Sequence, residues 1–207
     1  MFNPRFLVVS LGNPLPKYSS LHSAGHFALN GLAKALHQPS FRESRLGNAP
    51  ASLVSTGPKY TLVQSPVFMN VSGQFVAAAW RYMCTKYDAE SLGLVLLHDE
   101  LEKDLGVVSL VSWQRSPRGH NGVKDVKARL QQDRYPNSMF ARVSVGIGRP
   151  EERDAQTVSE YVLRRISNTD KSVLEDDAPF DVVQKLVELE EGWKLQYQQR
   201  QSAHKAS

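Results

Sequence analysis

Residues 6–37 read FLVVSLGNPLPKYSSLHSAGHFALNGLAKALH. Phe6 to Leu11 is an apolar run with little alternation, the pattern of a strand covered on both faces. Gly12, Asn13 and Pro14 then force a turn. From about Ser20 the spacing changes: Ala24, Phe27, Ala28, Gly31, Leu32 and Ala35 recur three and four apart, which predicts a helix with one apolar stripe. A strand followed by a short polar loop and a helix is the unit of an α/β sheet. Ligands bind at the carboxyl ends of strands in such sheets, so the loop residues Asn13, Tyr18 and His22 become candidates for chemistry.

The rest of the chain repeats this alternation. Residues 41–47, 51–57 and Tyr60–Gln64 read as strands in a hairpin-like series, and a helix is expected from about Asn70. Leu92 to Leu97 is the most apolar strand and ends in His98-Asp99-Glu100. Further strands are expected at 105–113 and around Val143 to Ile147, with a helix in VKDVKARLQQ between them. A helix at 155–166, a loop at NTDKS, and a last helix entered at Pro179 and left near Gly192 complete the pattern. One α/β domain spanning residues 1–192 follows, with a mixed, mostly parallel sheet and a polar tail at 193–207 expected to fray.

Composition excludes several classes. The 207 residues are 41% hydrophobic, enough for one ordinary core, and carry a formal charge of +4. A single cysteine, Cys84, rules out an internal disulfide and a thiolate metal cluster. Residues 175–191 hold seven acids and one lysine, so the remainder is more basic than the total implies, which favours a polyanionic partner mildly. No apolar stretch reaches the ~20 residues of a membrane span. Neither a dinucleotide-binding nor a phosphate-loop glycine pattern occurs, and no GxSxG elbow is present.

Among polar residues, His22 reads either as a helix-entrance surface residue or as a general base, because imidazole titrates near neutrality. A base needs an orienting carboxylate, and Asp99 stands where a buried strand ends. Their pairing requires the strand ends near 11 and 97 to be neighbours. His22 and His26 lack a complete set of metal-ligand spacings, so no metal is expected. Asn13, Asn70 and Asn121 each suit a turn or a helix cap. Converging on a histidine, they would instead hold a water and a carbonyl. Lys103, Arg118, Lys124 and Lys127 are either a solvated face or contacts for backbone phosphates.

Taken together, LVVSLGNP at 7–14, Tyr18 followed by HSAG at 22–25, FMNVSG at 68–73, HDEL at 98–101, GHNGVKD at 119–125 and VGIGRP at 145–150 resemble the bacterial-type peptidyl-tRNA hydrolases, in family order. The resemblance implies a three-layer α/β domain that cleaves the ester between a peptide and tRNA without metal or organic cofactor. It implies His22 as catalytic base oriented by Asp99. Asn13, Asn70, Asn121 and Tyr18 are implied at the substrate, and Lys103, more loosely, at tRNA phosphates. The partner implied is peptidyl-tRNA, with no DNA and no membrane, for a monomer in the cytoplasm or, as the alternative, in mitochondria. The motifs depart from the family at SLHSAG, where Leu21 and Ser23 replace the usual arginine and asparagine, at GNPLP, and at QRSPR before GHNG.

Overall fold

A computed structural model describes residues 2–206. In chain order the strands are β1 (Arg5–Ser10), β2 (Arg42–Ser44), β3 (Ser52–Thr56), β4 (Tyr60–Gln64), β5 (Leu92–Glu100), β6 (Val108–Ser112) and β7 (Met139–Gly146). The helices are α1 (Ala24–Ala35), α2 (Ser72–Lys86), α3 (Asn121–Arg129), α4 (Ala155–Leu163), α5 (Asn168–Ser172) and α6 (Ala178–Ala206). The sheet order is β2-β3-β4-β1-β5-β7-β6, with β4, β1, β5 and β7 parallel and the outer pairings antiparallel. It is mixed and mostly parallel, as expected.

Two layers of side chains cover the sheet. Phe6 and Val8 point with Val95, Leu97, Val143 and Val145 toward α1 and α6, while Leu7 and Val9 point with Leu94, Leu96 and Phe140 toward α2 and α3. Both faces of β1 and β5 are therefore apolar, the reason these strands read as unbroken runs rather than alternating ones. Ser10 pairs with Leu97 in register, and Leu11 N–H donates to Leu97 C=O at 2.8 Å. The strand ends near residues 11 and 97 are neighbours.

The helix expected from Ser20 begins as an α-helix only at Ala24, after a 3-10 turn over Leu21–Ser23 that carries His22. Gly25 explains how close α1 comes to the sheet: a Cβ there would lie 2.5 Å from the carbonyl of Leu97 and 2.7 Å from that of Leu11. NTDKS, expected as a loop, is helix α5, because Ser167 Oγ caps it by accepting from Asp170 N–H at 3.0 Å. A π-helical turn over Val173–Asp177 joins it to α6.

The tail also differs from expectation. Helix α6 continues through Gly192 to Ala206 instead of fraying from residue 193. Trp193 is 1% exposed and meets Phe2 and Phe6 edge-on at ring distances of 5.2 and 5.7 Å. A helical glycine costs ~1 kcal/mol relative to alanine, and burying an indole outweighs that. Glu190, also buried, ties the helix to Lys59 beside β4 through a 2.8 Å ion pair. Among the described residues no helix is long and apolar enough to cross a membrane.

Candidate active site

At the carboxyl edge of the parallel strands lies a cleft of about 600 Å³. Its floor is built by the adjacency of β1 and β5. The 3-10 turn before α1 brings His22 over the end of β5, and His22 Nδ1 lies 2.8 Å from Asp99 Oδ1. Asp99 is 3% exposed and keeps its position through the register of β5 on β7. Burial opposes ionisation of Asp99, yet the imidazoles of His22 and His120 and their hydrogen bonds hold it well below the usual carboxylate range. An ionised carboxylate only accepts, so His22 carries its proton on Nδ1 and leaves Nε2 as the basic nitrogen. Burial pushes the His22 pKa down, but the Asp99 charge and hydrogen bond overcome this and raise it.

His120 is the residue that sequence reasoning missed. Its Nε2 lies 3.0 Å from the same Asp99 oxygen, and its Nδ1 accepts from Val123 N–H at 3.2 Å as the cap of α3. A histidine is an unusual cap, so the GHNG motif drew attention to Asn121 instead. The signal was its position directly before a helix in a strand–helix loop. The nitrogens of His22 and His120 and the Asp99 carboxylate all lie within 4.8 Å of one another. A metal ion would bridge them only after displacing both ring hydrogens from Asp99.

The three amides line the same cleft. Asn13 is 5% exposed, and its Oδ1 accepts from Met69 N–H at 3.1 Å. Its own N–H donates to Ser23 Oγ at 3.1 Å, so the serine that replaces the usual asparagine secures the loop after β1. Asn70, just before α2, and Asn121, at the first turn of α3, are exposed toward the opening. His98 also lines the cleft. Burial above all, with His120 and Arg142 close by, presses its pKa down to about 3, so it is neutral. Met69, Leu101, Val158 and Val162 give an apolar wall, and Arg118, Arg149 and Arg153 stand among the charged lining residues.

Other expected site residues lie elsewhere. Tyr18 is not among the residues that line the cleft: its ring stacks on His26 at 5.6 Å, packs edge-on against Phe27, and its hydroxyl accepts from Asn30 Nδ2. The aromatic body finds a better surface against the root of α1 than over the opening. Lys103 is exposed on the turn after β5, outside the cleft lining, and Lys124 is exposed on α3. Lys127 is half-buried and donates to the Arg115 carbonyl at 3.1 Å. Of the four cationic candidates, Arg118 alone reaches the cleft wall.

Residues 7–206 match the family model described as peptidyl-tRNA hydrolase. The chain belongs to the peptidyl-tRNA hydrolase family. Peptidyl-tRNA hydrolase of Lactococcus lactis subsp. lactis is 35% identical over 171 residues, covering 82% of this chain and 85% of that protein. The peptidyl-tRNA hydrolase of Kineococcus radiotolerans is 36% identical over 197 residues, covering 88% and 90%. The crystal structure of peptidyl-tRNA hydrolase from Acinetobacter baumannii superposes with a TM-score of 0.67 at 25% identity, over 95% of this chain and 93% of that one. The likeness to these peptidyl-tRNA hydrolases spans the sheet and both helical layers, so the cleft sits within the shared architecture.

Proposed function

We propose that the protein hydrolyses the ester joining a peptide to the terminal ribose of tRNA, with His22 as general base and Asp99 as the group that orients it. The observation that carries this reading is the 2.8 Å contact between His22 Nδ1 and Asp99 Oδ1 at the floor of an amide-lined cleft. Asp99 fixes the tautomer and favours the imidazolium that forms in the reaction. His22 Nε2 takes a proton from water as the water oxygen attacks the ester carbonyl. The tetrahedral oxyanion is met by amide donors of the cleft, with Asn13 held for this by its bond from Met69. Collapse expels the ribose oxygen, which takes the proton back from His22. The products are a peptide carboxylate and free tRNA.

An ester already reactive toward water needs positioning and proton removal more than strong polarisation. A free α-amino group, as in aminoacyl-tRNA, would bring a cation where an acylated amide is expected, and this supports selection for peptidyl substrates. The apolar wall of Met69, Leu101, Val158 and Val162 suits the peptide. Arg118, with Lys124 on the exposed face of α3, suits the phosphates of the tRNA.

The test is turnover of N-acetyl-aminoacyl-tRNA by the purified protein beside His22→Ala. Release of free tRNA by the parent and its loss in the variant are expected. Binding without turnover by the parent would make the protein an RNA-binding module on the same fold. Equal turnover by the variant would remove His22 from the role of base.

A further inference from the structure

Arg142 stands mid-way along β7, paired in register with Leu96 of β5 and Val111 of β6. It is 2% exposed and its buried Nε has no hydrogen-bond partner; among the described residues no carboxylate lies within 4 Å of it, and the charge of Glu100 acts on it only at longer range. A cation so placed loses its hydration and needs compensation. Beyond the Glu100 charge, three main-chain oxygens supply it. Arg142 Nη2 donates to the carbonyls of Arg115 at 2.6 Å, Ser112 at 3.1 Å and, more weakly, Ser116 at 3.5 Å. They run from the last residue of β6 through the turn that follows it to its exit, and Arg115 N–H closes that turn by donating to Ser112 C=O at 3.2 Å.

The chain after that turn enters the cleft. Arg118 and Gly119 both adopt positive φ, +48° and +86°, a bend that only a well-held loop keeps at a non-glycine residue. His120 N–H then donates to Pro117 C=O at 2.9 Å, and His120 Nε2 reaches Asp99. Residues 117–121 all line the cleft. The height of the turn above the sheet therefore decides where His120 and Asn121 stand.

Filling space alone does not call for a charge at this position. An apolar side chain of similar length would pack beneath α3 without desolvation cost, and replacements of that kind are often neutral or stabilising. We propose that Arg142 is a positioning residue: its buried guanidinium, by gathering the carbonyls of Ser112, Arg115 and Ser116, sets the loop that delivers His120 to Asp99 and Asn121 to the substrate. This rests on the hydrolase reading above and assigns the loop geometry of that same site to a residue outside the cleft.

The experiment compares Arg142→Met, Arg142→Gln and Arg142→Lys with the parent by steady-state hydrolysis of N-acetyl-aminoacyl-tRNA across pH, and by amide hydrogen exchange over residues 112–119. In Arg142→Met and Arg142→Gln, exchange over 112–119 speeds up at least tenfold and kcat/KM falls at least tenfold, with KM raised. The acid limb of the rate profile moves to higher pH, because Asp99 relieved of His120 holds the proton on His22 more firmly. Arg142→Lys, which restores a cation with three donors, recovers much of both. Parental kinetics in the two neutral variants overturn the proposal. So do losses shared equally by all three variants with exchange over 112–119 unchanged. Exchange needs no substrate, and turnover by the parent alone tests the hydrolase reading, so the two readings fail separately.

Discussion

His22, from the turn before α1, and His120, from the cap of α3, reach the same oxygen of Asp99, at 2.8 and 3.0 Å. Their rings stand 5.2 Å apart and tilted by 48°, so neither stacks on the other. One carboxylate oxygen thus fixes two imidazoles. His22 keeps a free basic nitrogen, whereas both nitrogens of His120 are engaged, one by Asp99 and one by the N-terminus of α3. This asymmetry supports the proposed roles, with His22 as the proton acceptor and His120 as a brace.

Asp99→Asn separates orientation from charge. The amide keeps the shape but no longer favours the imidazolium, and its NH₂ can turn toward His22 Nδ1. A fall in kcat of about 10²–10⁴ is expected, the range for a general base placed in the wrong state. A single-turnover assay with acylated tRNA measures it, and a loss of less than threefold would remove Asp99 from the mechanism.

The pH–rate profile has a defined sign. His22 must be neutral to accept a proton, and Asp99 raises its pKa above the ordinary value. The inflection of the acid limb of kcat/KM therefore lies above 6.5, and in Asp99→Asn it moves to lower pH. An inflection in the parent below 6.5 would mean that another group controls the acid limb.

Stability falls with acid before the carboxylates titrate. His26 and His98 are buried as neutral rings, and burial presses both down to about 3. Between pH 6.5 and that value the unfolded chain binds protons at these residues and the folded chain does not. Each group therefore removes up to ~1.4 kcal/mol per pH unit as pH falls through that window. The raised pKa of His22 works in the other sense: its contribution is present below 6.5 and is lost as pH rises through the folded value. Urea midpoints between pH 7 and 4.5 should decline steadily, and a flat series would contradict the buried neutral state of both rings.

His120→Ala removes a cap as well as a brace. Loss of a capping acceptor costs ~1 kcal/mol, here added to the exposure of Asp99 on one side. Thermal denaturation should show a lower Tm, and the N-terminal amides of α3 should lose protection from exchange. Retention of both would place the cap elsewhere.

The end of α6 is a structural member. Trp193→Ala empties a site that Phe2 and Phe6 line and should cost ~3–5 kcal/mol. Truncation after Gly192 should destabilise comparably. Denaturant unfolding reads both, and an unchanged midpoint would return this segment to the status of a loose tail.

Much of the architecture was legible because it is local. The run Phe6 to Leu11 and the stripe through Ala24, Phe27 and Leu32 state strand and helix directly, since burial on two faces or on one leaves a different period in the chain. His22 and Asp99 stood out for the same reason, each placed by the end of an element that its own residues define. What the sequence could not state were relations set by distant partners. Tyr18 turned to His26 and Phe27 because packing area was available there. Helix α6 ran past Gly192 because Phe2 and Phe6, nearly two hundred residues earlier, offered a seat for Trp193. His120 joined Asp99, and Arg142 gathered its three carbonyls, through the register of β5, β6 and β7. A side chain's own neighbours along the chain decide its element, but its partners across the sheet are decided by how the whole core closes, and one sequence read in order carries no measure of that closure.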